Sequence, residues 1–252
     1  DGTPALLIPN FYSDPSVPPG ATNLIAISGG ENHYVGLRRD GTVATWGANN
    51  GDVFRDIKLT VPEGLRDVVG VTAGSSHSVA LKRDGTLVTW GHNFWGNIEV
   101  PEGLSNIISV TAGKGYTLAA SKDGALHAWG NLFRAGTYNV PNLSGIAKIE
   151  TGIVAHSIAW LTNGTLHSWR GPQSSFAGWK PMPSGLSNIV AISSSYGQCY
   201  ALRADGTVVA WGKNDYAVAT LPPGLTNVIA IDGGYDFGIA LVEGIDRAKK
   251  AH

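Results

Sequence analysis

The sequence predicts an all-β fold assembled from one short repeat, and three observations support this prediction. Within residues 75–93, polar and apolar residues alternate on both sides of Asp84-Gly85, and the second strand closes on Trp90-Gly91. This pattern is typical of a β-hairpin, because both central residues of a tight primed turn need φ > 0. It recurs along the chain, with Trp at positions 46, 90, 129, 169 and 211, which are 44, 39, 40 and 42 residues apart. A period of about 40–45 residues made of short strands predicts a β-propeller with four strands in each blade.

Both ends of the chain carry half of a repeat. Residues 1–10 align without a gap to residues 205–214, with Leu7 at the position of the Trp. The last strands stop near Gly244, where the next Asp-Gly turn is due. We therefore predict six four-stranded blades in a ring that the two half-units close by sharing one blade, which removes exposed sheet edges. The propeller is expected to occupy residues 1–244, followed by a polar tail over residues 245–252.

Each repeat divides into four predicted strands, A to D. Strand A is rich in small residues, as in residues 69–74, which suits the axis of a ring where backbones approach closely. Strand B follows as residues 78–81, and strand C ends on the Trp. Strand D is a short run before a Pro, such as residues 98–101, and a Pro-x-Gly-Leu link leads into the next strand A.

Composition excludes several classes of function. A formal net charge of −1 argues against a nucleic-acid-binding surface, which would require a basic stripe. No run of 18 apolar residues is present, so no transmembrane span is expected. The single Cys199 leaves no intramolecular disulfide, and its place in strand B predicts a small buried residue, not a nucleophile. No phosphate loop, Cys-x-x-Cys pair or Gly-x-Ser-x-Gly elbow occurs, and neither a cofactor nor a metal site is expected.

The repeated unit carries a family resemblance. Its pattern is Gly-x-x-His-Ser-x-Ala-Leu, then Asp-Gly-x-Leu-x-x-Trp-Gly-x-Asn, and it resembles the repeat of the regulator-of-chromosome-condensation family of β-propellers. The short units with a Val-Pro strand D look most like those of secreted bacterial β-lactamase-inhibitory propellers, which are typically seven-bladed where six blades are counted here. The resemblance implies a ring and a binding role. The protein is also expected to be a monomer and to lie outside the cell or at the bacterial cell surface. It does not identify the partner, because fold does not fix function.

Strand direction predicts where a binding site lies. In antiparallel blades the A–B and C–D loops share one face, and the monotonous Asp-Gly turns and Pro-x-Gly-Leu links share the other. Variable loops on a rigid scaffold commonly carry function, and aromatic residues that the repeat does not require suggest binding anchors. Trp95, Phe133 and Tyr216 lead this set because each follows a Trp-Gly-x turn, although some members could instead fold back to cover blade ends. The candidate binding residues are Phe11, Tyr12, Phe94, Trp95, Phe133, Arg134, Phe176, Trp179, Tyr216 and Tyr235.

Several histidines share one repeat position and are better explained by packing than by chemistry. His33, His77 and His156 begin strand B, where other repeats have Tyr116, Gln198 and Phe237. A shared position in different blades favours a structural hydrogen bond from strand B to a neighbouring loop. It also lacks a metal-type spacing such as His-Glu-x-x-His.

Two carboxylates interrupt a row of hydroxyl residues in strand A. Glu150 and Asp232 occupy the position that Ser28, Thr72, Thr111 and Ser193 fill in other repeats. They could shape a cation site or an acid/base pair, but solvated carboxylates lining a central channel explain them as well. No catalytic residue is assigned on this evidence.

Two classes of function remain from the sequence. The first is a non-enzymatic binding module that docks a protein surface or an extended polysaccharide on the aromatic loop face. The alternative is a carbohydrate-active propeller, such as a polysaccharide lyase that uses a Tyr or His base beside a uronate carboxylate neutralised by Arg. The candidate residues for that chemistry are Tyr12, Tyr34, His92, Arg134 and Arg170.

Overall fold

The fold is all-β throughout the part of the chain that the computed structural model describes. That part comprises residue 18 and residues 20–31, 33–47, 60–93, 95–130, 140–152, 156–170, 179–214, 219–233 and 238–243. No helix long and apolar enough to cross a membrane occurs among these residues. The strands are β1 (Leu24–Gly29), β2 (His33–Arg38), β3 (Val43–Gly47), β4 (Val68–Ala73), β5 (His77–Lys82), β6 (Leu87–Gly91), β7 (Ile107–Ala112), β8 (Tyr116–Ser121), β9 (Leu126–Gly130), β10 (Ile146–Thr151), β11 (His156–Leu161), β12 (Leu166–Arg170), β13 (Ile189–Ser194), β14 (Gln198–Arg203), β15 (Val208–Gly212), β16 (Val228–Gly233) and β17 (Gly238–Val242).

These strands form six antiparallel sheets, one for each repeat. Five sheets contain three strands in sequence order, from β1–β2–β3 to β13–β14–β15, and the sixth contains β16 and β17. The predicted strands A, B and C are therefore present, and the all-β prediction is confirmed. Contacts run from each sheet to the next along the chain, so neighbouring repeats stack side by side.

The predicted fourth strand is not formed among the described residues. Residues 98–100 form turn and coil, since a run this short before Pro101, which lacks an N–H, cannot build a ladder. What remains of strand D is an isolated antiparallel bridge between Lys180 and Gly212. Lys180 precedes β13 and Gly212 ends β15. The outer segment therefore pairs with the sheet that follows it in sequence.

The Asp-Gly turns close each hairpin through a side chain as well as the backbone. Asp84 Oδ1 accepts the backbone N–H of Thr86 at 3.0 Å and its hydroxyl at 2.6 Å. Gly85 N donates to Lys82 O at 2.9 Å, and Lys82 N donates to Thr86 O at 2.9 Å. Gly85 has φ +80° and Asp84 does not have a positive φ. The loop is thus a type I turn followed by a left-handed Gly, not the primed two-residue turn expected from the sequence.

Strand A begins with a β-bulge in every sheet. The pairing of β7 with β8 skips from Ile107 to Ser109, so Ile108 is the extra residue. Asn106 just before this strand has φ +57°, a conformation that Asn tolerates better than most residues. The bulge turns the side chain of the extra residue out of the sheet stack. The large exposed residues at this position are Ile25, Val69, Ile108, Val190 and Ile229.

The cores lie between sheets and are built on the repeat tryptophans. Trp90 packs with Val35, Leu37 and Val43 of the first sheet and Val68 of the second. The tryptophans at 46, 90, 129 and 211 are all buried, as blade-packing residues should be. Trp169 is half-buried in the core between the third and fourth sheets.

Neighbouring strands A approach so closely that only small residues fit. A Cβ on Gly74 would lie 2.6 Å from Gly113 O in the next sheet. The hydroxyl of Thr72 accepts the N–H of Ala112 in that sheet at 3.2 Å. Thr111 accepts the N–H of Thr151 in the same way at 3.1 Å. The small residues of strand A therefore permit backbone contact at the centre, as the sequence predicts.

The sixth sheet leaves apolar side chains open that the other sheets bury. Ile239 is 40% exposed and Leu241 is 58% exposed, whereas Val79 and Leu81 at the same repeat positions are 0% and 7% exposed. Among the described residues, no hydrogen bond joins this sheet to the first one. The residues predicted to complete it, 1–10, lie outside the described part of the chain.

Candidate functional site

The two ends of the sheets have different chemistry, which follows from strand direction. The backbone N–H of His92, after β6, donates to Ser76 O at 2.8 Å. The backbone N–H of Lys213, after β15, donates to Gly197 O at 2.8 Å. The A–B loops and the residues after strand C therefore meet at one end, here called the loop end. At the other end, called the turn end, Arg83 N of a hairpin turn donates to Asp67 O of a link at 2.8 Å. This division agrees with the prediction from the sequence.

Two of the ten candidate binding residues fall within the described part of the chain. These are Trp95 and Trp179. The others lie outside the described residues, so their assignment as anchors stays a prediction: Phe11, Tyr12, Phe94, Phe133, Arg134, Phe176, Tyr216 and Tyr235.

Trp95 lies at the loop end and bridges two neighbouring repeats. It follows β6 of the second sheet and is half-buried. Its ring covers Gly115 in the A–B loop of the third sheet, so that a Cβ on this Gly would lie 2.9 Å from Trp95 Cζ3. Gly115 also has φ +72°, a conformation that Gly adopts without steric cost. The ring is therefore positioned by the next repeat while part of its surface stays open to solvent.

Trp179 occupies a comparable junction between the fourth and fifth sheets. Its ring meets the imidazole of His156 edge-on, with ring centroids 4.6 Å apart and an interplanar angle of 62°. Trp179 is half-buried, and its neighbour Lys180 bridges to Gly212 at the end of β15. Trp95 and Trp179 thus belong to two different sheet junctions and do not form one cluster.

Charged groups also lie at the loop end, and the sequence did not single them out. Lys213 Nζ lies 4.7 Å from the ring centroid of Tyr196, a cation–π contact within the fifth repeat. Lys114 Nζ lies 3.6 Å from Glu31 Oε1, which joins the A–B loops of the third and first sheets. Because these two sheets are not neighbours in sequence, the A–B loops must converge. Tyr196 and Lys114 occupy the same A–B loop position in two repeats, and an alignment of the A–B loops would have identified them as candidates.

The strand B histidines connect neighbouring sheets. His33 Nε2 lies 2.9 Å from Ser78 Oγ, and His77 Nε2 lies 3.0 Å from Thr117 Oγ1. Burial lowers the pKa of His33 to about 4 and that of His77 to about 3, so both imidazoles are neutral near pH 7. The predicted structural hydrogen bond is confirmed. For His33 and His77 the partner is a hydroxyl of the adjoining strand, whereas His156 Nδ1 donates to Gly197 O in the A–B loop of the next sheet at 3.2 Å.

The carboxylates of strand A each have a local partner. Lys148 Nζ lies 2.9 Å from Glu150 Oε1, and Ser193 Oγ donates to Asp232 Oδ1 at 3.1 Å. Burial beside the inner strands removes water from the Glu150 carboxylate and raises its pKa. The attraction of Lys148 lowers this pKa, and the negative charge of Asp232 raises it. Among the described residues, no three His, Cys, Asp or Glu side chains are grouped to hold a metal ion.

The residues considered for lyase chemistry belong to three different sheets where the structure describes them. Tyr34 stacks on Trp46 with ring centroids 5.6 Å apart, which makes it part of the first sheet's packing. His92 follows the second sheet, and Arg170 ends β12 of the fourth. Tyr12 and Arg134 lie outside the described residues. Cys199 is fully buried, and burial raises the pKa of its thiol, so it is not a reactive nucleophile.

Two units of the chain are similar to RCC1-type repeats. The Regulator of chromosome condensation (RCC1) repeat matches residues 24–51 and 68–94, which contain β1–β3 and β4–β6. The family resemblance found in the sequence motif is thereby confirmed. No curated protein sequence is similar enough to this chain to be matched.

Solved structures are similar to this chain over most of its length. The CRINKLY WD40 ectodomain of the Arabidopsis thaliana receptor kinase ACR4 has a TM-score of 0.65 at 20% identity, covering 88% of this chain and 76% of that chain. The ectodomain of the Physcomitrella patens receptor kinase CR4 has a TM-score of 0.63 at 24% identity, with 88% and 58% covered. Human WBSCR16 has a TM-score of 0.55 at 16% identity, with 86% and 66% covered. At this identity the likeness shows the fold, and the chain spans little more than half of the Physcomitrella ectodomain.

Proposed function

We propose that this RCC1-type repeat propeller is a non-enzymatic binding module that docks a protein partner on its loop end. The observation that carries the proposal is the placement of Trp95, which is half-buried and held against Gly115 of the next repeat. A large aromatic ring that is positioned before binding loses little conformational freedom when a partner covers it. Such residues dominate the energetics of protein interfaces.

The loop end also offers the charges that a polar rim requires. Lys114 and Glu31 form a partly exposed ion pair there, and Lys213 lies over Tyr196. Interfaces commonly surround a few aromatic anchors with polar groups of this kind. The candidate anchors on separate sheet junctions suit a broad protein surface better than a small metabolite. An extended polysaccharide is the second ligand class to test on the same end.

The proposal includes a closed ring of six blades. Residues 1–10 would supply the strand that pairs with β17, in the register by which β15 pairs with β14 in the fifth sheet. The exposure of Ile239 and Leu241 supports this, because an added strand and an adjoining first sheet would cover them. Deletion of residues 1–10 should lower the melting temperature sharply. An unchanged melting curve would contradict the shared blade.

The partner is proposed to be met outside the cell or at the bacterial cell surface, by a monomeric propeller. Two of the similar solved structures are receptor ectodomains, which is consistent with an extracellular setting. Size-exclusion chromatography with light scattering checks the monomer. Fractionation of the source cells checks the location.

Docking is tested by affinity capture from the secretome, with a glycan array run in parallel. Trp95→Ala and Trp179→Ala should each weaken capture of a protein partner by roughly 30-fold, about 2 kcal/mol. Thr86→Lys, at the turn end, is the control and should leave capture unchanged. Loss of capture with Thr86→Lys but not with Trp95→Ala would place the interface at the other end. Glycans bound without any protein, in a way that Trp95→Ala abolishes, would replace the proposed partner class.

A further inference from the structure

At the turn end, the side chain of the last residue of strand B lies between the hairpin turn and the Pro-x-Gly-Leu link. In the first sheet Arg38 spans this space. Its Nη1 donates to Thr42 Oγ1 at 3.2 Å and to Val43 O at 3.0 Å, and its Nη2 donates to Gly20 O of the link at 2.7 Å. The guanidinium therefore ties the hairpin to the link and occupies the space between them.

The second sheet has a shorter contact at the same place. Lys82 replaces the Arg and turns its Nζ toward Asp84 Oδ2, at 3.2 Å. A cavity of about 330 Å³ lies between the link and the hairpin, lined by residues 62–67 together with Lys82 and Val88. A Lys thus leaves part of the space that an Arg fills.

The third sheet carries a shorter side chain and a larger cavity than the second. Ser121 stands where the first, second and fifth repeats have Arg38, Lys82 and Arg203, and a cavity of about 540 Å³ opens there. Two further differences accompany it. Ala125 replaces the turn Thr, and His127 replaces residues such as Val88. The lining residues are Gly103, Leu104, Ser105, Asn106, Ser121, Lys122, Asp123 and His127.

The polar groups of this cavity form an ordered chain. Ser121 Oγ donates to Asp123 Oδ1, replacing the hydroxyl that Ala125 lacks, and Ala125 N donates to the same oxygen at 3.2 Å. The hydrogen bond from Ser121 lowers the pKa of Asp123, which keeps this carboxyl ionised. Since the hydroxyl has one proton, its contact with His127 Nε2 at 2.9 Å requires the imidazole to donate. Ser121 is therefore not a nucleophile with His127 as its base.

The lining of this cavity offers both hydrogen-bond acceptors and donors. The Asp123 carboxylate accepts, and His127 Nδ1 accepts because Nε2 carries the imidazole proton in its contact with Ser121. The Asn106 amide and the Ser105 hydroxyl can each donate and accept. Lys122 and Asp123 carry opposite charges, so the lining has no net charge when His127 is neutral. Leu104 adds an apolar surface beside these polar groups.

We infer that this cavity of the third repeat, between Gly103–Asn106 and Ser121–His127, binds a neutral polyhydroxylated ligand, the size of one carbohydrate residue. A neutral lining of mixed donors and acceptors matches hydroxyl groups, which both donate and accept. A free carboxylate or phosphate would meet the ionised Asp123 and is disfavoured. The cavity volume lies in the range of small-molecule sites. This site is at the turn end and does not depend on docking at the loop end.

The test is an amide NMR titration of the ¹⁵N-labelled protein with glucose, galactose and N-acetylglucosamine, and with acetate as the anionic probe. At least one sugar should shift the amides of Gly103, Asn106 and Gly124 saturably, with a dissociation constant of roughly 1–10 mM. Ser121→Arg restores the residue of the first repeat and should abolish these shifts. His127→Val restores the residue of the second repeat and should weaken binding about tenfold.

The matched control is Lys82→Ser in the second repeat, which should leave the affinity at the third repeat unchanged. Because Arg and Val already occur at these positions in other repeats, both variants should fold, and His127→Val remains informative if Ser121→Arg does not. The inference is overturned if no sugar gives saturable shifts up to about 50 mM. It is equally overturned if Ser121→Arg binds normally, or if acetate binds more tightly than every sugar. None of these outcomes bears on capture of a protein by the loop end.

Discussion

The imidazole Nε2 of His77 lies 3.0 Å from Thr117 Oγ1 and so joins the second sheet to the third. His33 and Ser78 repeat this contact between the first and second sheets, at 2.9 Å. Tyr116 performs the same role toward the fourth sheet, with its hydroxyl 2.6 Å from Thr151 Oγ1. One repeat position therefore supplies a series of buried contacts between sheets. The stability of the stack depends on the protonation state of those residues that are histidines.

Acid should destabilise the protein well above the pH at which carboxylates titrate. Burial lowers the pKa of His33 from 6.5 to about 4 and that of His77 from 6.5 to about 3. The unfolded state then binds more protons than the folded state below pH 6.5, so stability is complete above that pH and falls as the pH decreases. The loss should reach about 2 kcal/mol for each His at pH 5. Urea unfolding between pH 7.5 and pH 5, with buffers at matched ionic strength, measures it.

The control replaces both histidines by Gln, the residue that holds this position as buried Gln198 in the fifth repeat. His33→Gln combined with His77→Gln should lower stability at pH 7 but remove most of the decline toward pH 5. A decline of the same size in this variant would show that other groups cause the acid sensitivity.

Two repeat tryptophans at one register should respond differently to the same substitution. Trp129 Nε1 donates to Asn97 O at 3.0 Å, whereas Trp90 Nε1 is buried and has no partner among the described residues. Replacement by Phe removes the same ring volume in both cases, but among these residues only Trp129 loses a hydrogen bond. Trp129→Phe should therefore cost about 1–2 kcal/mol more than Trp90→Phe in urea unfolding. Equal losses would mean that the indole N–H contributes nothing and that packing alone fixes this register.

Residue patterns predicted the parts of this fold that recur, and missed the parts that depend on one residue. Alternation on both sides of Asp84-Gly85 located the hairpin correctly, because local periodicity and a turn Gly act within a few residues. The fourth strand was expected at residues 98–101, but its Val-Pro run is too short to pair and the outer segment joins the following sheet. The cavity at Ser121 was missed because the turn end was treated as uniform. Comparison of Ser121 with Arg38 and Lys82 carries the necessary signal.

The candidate site was predictable in location but not in detail. Strand direction alone places the A–B loops with the residues after strand C. Whether a loop aromatic lies free or packs against the next repeat depends on a contact partner far away in sequence, as Gly115 is for Trp95. No periodic pattern contains that information.

Gly115→Ala tests whether the position of Trp95 depends on the neighbouring repeat. A Cβ at Gly115 would lie 2.9 Å from Trp95 Cζ3 and 3.0 Å from Cδ2, so the indole ring must move. Gly115 also has φ +72°, which adds backbone strain of about 1 kcal/mol. Gly64 is the matched control, since its φ is +75° and a Cβ there would meet nothing within 4 Å. Thermal unfolding should show a larger loss for Gly115→Ala than for Gly64→Ala, and the excess should vanish when Trp95→Ala is already present. An excess that persists without the indole ring would mean that Trp95 is not what Gly115 accommodates.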